Sequence, residues 1–324
     1  MNSERLPGVD SSPLDHLARQ ALRHYRIGSA HLSLLRQGDN TVYLVQTGAG
    51  AGAGERWVLR LHTSARHSEQ AVTSELIWLD HLSRAAFLPV PQPVMTTAGG
   101  WVVRLGNGAR PPVMASLLCW VDGEALTEDG GLTLTQAAEA GALLAELHAQ
   151  TQHFAPPGGF ERPRYDLPYF RRCAEELIQA LIEHVDSGKL SAMRRRLGTL
   201  ADSLPDLREL PGGYGLIHAD PHPGNFVQGP ARLGLIDFDR CGWGPFLLDL
   251  AHISLALGAP TRRALMTGYL SVRPLPGDHE SALRHLRVLA ATENLAFLAR
   301  RPHERPFVIA ALASVEAELT ELGY

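Results

Sequence analysis

The sequence predicts an α+β chain in two lobes, a β-rich N-lobe and a mostly helical C-lobe. Three observations carry this. Residues up to 120 hold about five short runs of β-type residues and one helix placed after the third run. Beyond Asp122-Gly123 the apolar spacing becomes helical in seven segments. Within that helical region residues 214–239 (YGLIHADPHPGNFVQGPARLGLIDFD) remain extended and rich in Gly and Pro.

The elements follow in order. Ser-Ser-Pro opens a short helix over 13–26. LSLLRQ and TVYLVQ form a hairpin about Gly38-Asp39-Asn40, and RWVLRLH (56–62) is the third strand. The Gly-Ala stretch at 47–55 does not match GxGxxG and precedes a strand where a dinucleotide loop would open a helix. It reads as a flexible hairpin connection. Residues 67–84 place Leu76, Trp78, Leu79 and Leu82 on a helical stripe. FLPVPQPV is extended, and 101–106 and 112–121 are two further strands. Helices are expected at 133–151, 166–185, 189–203, 246–257, 260–271, 279–300 and 305–322. The organisation read from this is a helical extension at 1–29, an N-lobe at 30–120 and a C-lobe at 121–324. No internal repeat is visible.

Composition narrows the function. Of 324 residues, 45% are hydrophobic and 20% charged, enough for a sizeable core and unlike a disordered chain. The formal net charge of -4 lacks the basic excess of a bulk nucleic-acid binder. Cys119, Cys173 and Cys241 are far apart with no CxxC pair, so neither a disulfide framework nor a Cys-based zinc site is supported. No stretch approaches the roughly 18 apolar residues of a membrane span, and the N-terminal residues lack a signal pattern. A cytoplasmic protein with neither nucleic-acid nor membrane partner is expected. Its oligomeric state is open.

The chemistry concentrates in Ile217-His218-Ala219-Asp220-Pro221-His222-Pro223-Gly224-Asn225 and in Leu235-Ile236-Asp237-Phe238-Asp239. Both acidic positions follow apolar β-like runs, which place them at the rim of a core. Phosphoryl transfer needs the donor phosphates neutralised and an acceptor hydroxyl aligned, with its proton accepted. Magnesium prefers hard oxygen ligands and few protein carboxylates. HxDxxxxN followed by a strand-end Asp supplies a base and two metal ligands.

HADPHPGN, LIDFDRCGWGPFLLDLA and GALLAELHA, together with the N-lobe hairpin and the crossover LLCWVDGE, resemble the aminoglycoside phosphotransferase and choline kinase family. The IDFD stretch looks like the bacterial branch with homoserine kinase type II and the stress-response Ser/Thr kinase. The resemblance touches most of residues 30–300 and implies a protein-kinase-like fold using ATP and Mg2+. It implies Asp220 as the catalytic base, Asn225 and Asp237 as magnesium ligands, and His218 and Asp249 as braces of the catalytic loop. Gly38, Asp39 and Asn40 would form a tip over the phosphates, and Cys119 and Val121 would offer backbone groups to adenine, with ATP between the lobes. Arg60 stands where the family often has a phosphate-pairing lysine, with Glu75 as its ionic partner. Asp239, Arg240 and the helix carrying Glu293 and Asn294 are candidate acceptor contacts.

Blander readings stand beside these. His218, Asp220 and His222 could mimic a transition-metal cluster, although a hydrolase of that kind would not require Asn225 and Asp237. Asp239 could hold a second metal, touch the acceptor or cap a turn. Arg60, with His62 and Arg66, could be only a basic strand end. Buried packing is the default for Trp120 and Trp243. The expected activity is transfer of the ATP γ-phosphoryl group to a hydroxyl of a small metabolite. A Ser/Thr protein kinase and a non-catalytic nucleotide-binding pseudokinase are the alternatives.

Overall fold

A computed structural model describes residues 13–38, 40–48, 54–63, 68–85, 88–106, 112–127 and 131–324. The chain divides into two compact units. Unit 1 takes Met1–Ala85, Val90–Val121 and Pro157–Glu161, and unit 2 takes Ala86–Pro89, Asp122–Pro156 and Arg162–Tyr324.

Unit 1 is a five-stranded antiparallel sheet with two helices. Its elements are α1 (Pro13–Leu22), β1 (Ala30–Gln37), β2 (Thr41–Thr47), β3 (Arg56–His62), α2 (Glu69–Ala85), β4 (Val102–Leu105) and β5 (Val113–Cys119), and the strand order is β1-β2-β3-β5-β4. The side-chain period of two decides what each face carries. Tyr43 and Val45 of β2, Leu59 and Leu61 of β3, and Ala115 and Leu117 of β5 share one core with Ala18 and Ala21 of α1 and with Tyr25. Helix α1 is thus part of this unit's core, and Asp15 accepts a hydrogen bond from the Tyr43 hydroxyl (2.8 Å). Arg60 lies between Leu59 and Leu61 and points to the other face, in register with Val42 and Ser116.

Unit 2 is mainly helical: α3 (Leu134–Gln150), α4 (Leu167–Leu181), α5 (Ser187–Ser203), α6 (Phe246–Leu255), α7 (Ala259–Val272), α8 (His279–Ala299) and α9 (Arg305–Glu321). Side chains close three helix starts. Thr133 and Gln136 form a reciprocal capping box on α3, and Asp166 and Asp186 accept the first free N–H groups of α4 and α5. Helices α3 and α7 meet at glycines. A methyl group on Gly268 would collide with the Ala138 carbonyl, and one on Gly141 with the Leu265 carbonyl. Gly268→Ala is therefore expected to force the helices apart and cost about 1–3 kcal/mol. Thermal unfolding should register it as a fall of several degrees.

The extended region at 214–239 is not one run. It consists of β7 (Tyr214–Ile217), β8 (Phe226–Gln228) and β9 (Leu233–Leu235), with 3-10 turns at Pro223–Asn225 and Phe238–Arg240. Two further strands were not legible in the sequence. The pair β6 (Glu124–Ala125) adds to β8, and β10 (Gly242–Pro245) pairs antiparallel with β7, Gly242 opposite Ile217 and Pro245 opposite Tyr214. Gly-Trp-Gly-Pro has no strand propensity. It is extended because close partners impose it: a side chain on Gly244 would strike Ile217, and one on Gly242 would strike the Pro163 carbonyl.

Candidate active site

Strand β7 ends at Ile217 and delivers His218, Ala219 and Asp220 beyond the sheet. Two backbone strains mark the place. Ala219 has φ 63° and Asp237 φ 65°, the only positive values among described non-glycine residues. For side-chain-bearing residues this conformation costs about 1 kcal/mol or more and survives only where surroundings enforce it.

Asp249 enforces the first of these strains. It is fully buried on α6, between Leu248 and Leu250. Its Oδ2 accepts from the His218 N–H (2.9 Å) and its Oδ1 from the Ala219 N–H (2.7 Å). His148 of α3, also fully buried, places Nε2 3.0 Å from Oδ2 and Nδ1 3.0 Å from the Tyr269 hydroxyl. An ionised carboxylate only accepts, so Nε2 carries the proton and Nδ1 accepts from Tyr269. Burial holds the His148 imidazole below its ordinary pKa. Burial alone would raise Asp249, but His148 and the backbone donors outweigh it and hold the carboxyl below its usual range.

His218 uses both ring nitrogens. Nε2 lies 3.0 Å from the Ile236 carbonyl and so donates, and Nδ1 accepts from the Asp220 N–H (3.2 Å). Burial depresses this imidazole as well. The ring ties the start of the 218–225 loop to the end of β9. Asn225 makes the second tie. Its side-chain NH2 donates to the Asp220 carbonyl (2.9 Å), and its own carbonyl accepts from the Ile236 N–H (2.9 Å). Pairing of Phe226 with Leu235 continues this register. Asp220, Asn225 and Asp237 thus lie on two hydrogen-bonded loop ends. With its NH2 committed, Asn225 retains Oδ1 as an acceptor. Together with the Asp237 carboxylate this is a hard-oxygen donor set that suits magnesium and not a soft metal. Among the described residues no group of three or more His, Cys, Asp or Glu side chains is placed to hold a metal ion, so His218, Asp220 and His222 form no such cluster.

Two other groups brace the Asp237 turn. The buried Arg162 guanidinium donates to the carbonyls of Cys241 (2.6 Å), Asp239 (2.5 Å) and Phe238 (3.4 Å). Arg240 places Nη1 3.2 Å from Asp220 Oδ1 and Nη2 2.5 Å from Glu293 Oε1. Glu293 also receives the Tyr169 hydroxyl, and its Oε2 lies 3.1 Å from His252 Nε2. Burial would raise the Glu293 carboxyl, but Arg240, His252 and Tyr169 hold it at about 2. Glu293, expected from the sequence at the acceptor, is only 2% exposed and spent on Arg240.

In unit 1 the structure brings Arg60 and Glu75 together. Nη1 and Oε1 are 2.5 Å apart, with side chains 5% and 3% exposed. Gly38 donates its N–H to the Asn40 carbonyl (3.0 Å), closing the hairpin turn, and Asp39 lies outside the described residues. The Cys119 N–H is committed to the Gln92 carbonyl (2.8 Å) and the Trp120 N–H to that of Arg56 (3.1 Å), while Val121 follows, half-buried. Of the Gly-Ala stretch, residues 49–53 are outside the described residues.

Sequence reasoning missed His148, Arg162, Tyr169 and His252. The signal for His148 was present: an imidazole within the apolar face of GALLAELHA, and a single Asp within FLLDLA, need each other in a core. Arg162, Tyr169 and His252 carried no such signal.

This chain is similar to several known kinases. Homoserine kinase of Brucella ovis is 26% identical over 87% of this chain and 82% of its own length. A microcompartment-associated aminopropanol kinase superimposes with a TM-score of 0.73 at 27% identity, covering 94% of this chain and 95% of its own. An amicoumacin kinase, solved with AMP-PNP, Ca2+ and amicoumacin, gives 0.76 at 18% identity over 97% and 94%. These neighbours share the kinase-like α+β fold, a β-sheet N-terminal region followed by a mostly helical remainder. Residues 32–286 match the phosphotransferase enzyme family, and the chain belongs to that family.

Proposed function

We propose that this phosphotransferase moves the γ-phosphoryl group of ATP to a hydroxyl of a small metabolite, with magnesium. The joined loop ends that carry Asp220, Asn225 and Asp237 support this reading more than any other feature. Asp220 is the catalytic base. Its carboxylate is 25% exposed, so an acceptor hydroxyl can reach it. Asn225 Oδ1 and the Asp237 carboxylate are the magnesium ligands, and the ion would neutralise donor phosphate oxygens. His218 is not a base, because both its nitrogens are occupied. It and Asp249 fix the loop. Arg60, oriented by Glu75, contacts phosphate oxygens, for which a guanidinium fork is suited. Gly38 and Asn40 are the backbone contacts assigned to the same phosphates in this reading. Val121 supplies the N–H for a purine edge, since that of Cys119 is already used.

The kinases of homoserine and of aminopropanol among the relatives favour a small hydroxylated metabolite over a protein acceptor. The test is ADP release with ATP and magnesium across amino alcohols, hydroxy amino acids, choline, fructosamines, aminoglycosides and a generic protein. One small hydroxyl compound that stimulates release and acquires the phosphate is the expected result. Phosphorylation of protein with no small acceptor, or nucleotide binding without turnover, would overturn it.

Asp237→Asn tests the metal ligand without releasing the left-handed backbone, which Asn tolerates. Nucleotide affinity should fall in magnesium by at least the roughly 10–100-fold that loss of even an outer-shell partner costs. Without magnesium it should not change. Titration calorimetry in both conditions reads the difference.

A further inference from the structure

Glu293 raises a question that the proposed chemistry leaves unanswered. A carboxylate removed from water is costly unless paired, and an apolar side chain of similar volume would often serve stability as well. Yet Glu293 is held as a carboxylate at 2% exposure by Arg240, His252 and Tyr169. Its partners come from three separate elements: Tyr169 from α4, His252 from α6, and Arg240 from the turn after Asp237.

Arg240 is held with equal care. The Tyr165 hydroxyl donates to its carbonyl (2.5 Å), and Arg162 fixes the carbonyl of the preceding residue. Phe297, one helical turn beyond Glu293 on α8, lies 5.6 Å from the guanidinium carbon. The guanidinium is therefore aimed, and its remaining fork nitrogen is 3.2 Å from Asp220 Oδ1. A flexible arginine on a solvated loop would lose this contact readily. One whose other nitrogen is anchored on a buried carboxylate cannot swing away without removing that carboxylate's arginine and leaving it only Tyr169 and His252.

We propose that Glu293 is a positioning residue for phosphoryl transfer: through Arg240 it fixes the rotamer of the Asp220 carboxylate that meets the acceptor hydroxyl. The inference rests on Asp220 being the catalytic base. Glu293 then governs turnover and not nucleotide binding, because Arg240 leads to Asp220 and none of its partners Arg240, Tyr169 and His252 is a candidate phosphate or metal contact. Geometry of this kind matters because a misplacement of about 1 Å can cost on the order of 100-fold in rate.

The experiment is a mutant cycle on the full chain with Glu293→Gln, Arg240→Met, the double variant and Arg240→Lys. For each, kcat and the KM for ATP are measured with thermal unfolding alongside. Glu293→Gln keeps the shape and removes the charge, so it should remain folded at assay temperature. Its kcat should fall roughly 10–100-fold with the KM for ATP within about twofold. The double variant should fall no further than Arg240→Met alone, and Arg240→Lys should recover part of the loss. Unchanged kcat in Glu293→Gln, or fully additive losses in the double variant, overturns the proposal while the kinase reading stands. If the wild type turns over no acceptor, the kinase reading fails first. Crystal structures of wild type and Glu293→Gln then decide the coupling. Asp220 parting from Arg240 in the variant supports it, and identical Asp220 geometry overturns it.

Discussion

Replacing Asp220 with Ala is expected to abolish acceptor phosphorylation while leaving ATP binding intact. General-base assistance of an acceptor hydroxyl is worth roughly 100–10,000-fold, and loss of orientation adds to this. The carboxylate is partly exposed, and Arg240 beside it keeps Glu293 when Asp220 is truncated. The fold therefore loses little, and the backbone ties of this loop through His218 and Asn225 use the Asp220 main chain only. Asp220→Asn should be nearly as inactive, since an amide cannot take up the proton. Steady-state ADP release beside calorimetric ATP binding separates the two effects. Full turnover by Asp220→Ala would remove the residue from the mechanism.

Asp249→Ala is expected to be the most damaging change to folding. It strips the His218 and Ala219 N–H groups and His148 of their acceptor at a fully buried site. Each of these three buried donors left unsatisfied costs about 1–3 kcal/mol. The total approaches the marginal stability of a domain. Nothing would then compel Ala219 into its positive φ, so Asp220 would be lost from its place along with stability. Denaturant unfolding of Asp249→Ala should show this, and a variant within about 1 kcal/mol of wild type would refute it.

The same pair is expected to make stability fall in acid. His148 has a folded pKa below its ordinary 6.5, so the unfolded chain binds the proton first, and stability present above 6.5 is lost as pH falls. Asp249 is depressed below 3.8, so its contribution persists above that value and disappears on further acidification. Both act in the same direction. Stability should decline from pH 7 towards 5 through His148 and fall again below 4 through Asp249. Unfolding midpoints measured across this range should show a smaller first step in His148→Gln, with the remainder from His218, whose imidazole burial also depresses.

Much of the machinery was legible because it is local in sequence. Asp220, Asn225 and Asp237 share one short segment with apolar approaches, and their types alone match the needs of phosphoryl transfer. The strands of unit 1 and the helices of unit 2 were legible from their periods of two and 3.6. Strand β10 was not, because Gly242-Trp243-Gly244-Pro245 is held extended by the neighbours Ile217 and Pro163 and not by its own preferences.

The sequence by itself determined the two-part α+β organisation, the order of most of its elements and the candidate residues for the chemistry. Only the tertiary structure decided which charges face each other. The Arg60–Glu75 pair was already expected, but His148 meets Asp249 across 101 residues and Arg240 meets Glu293 across 53, and neither pairing was. The physical reason is that a lone Arg, His or Glu has the same local signature whether solvated or buried. The cost of burying it becomes visible only when the fold supplies, or withholds, the opposite charge.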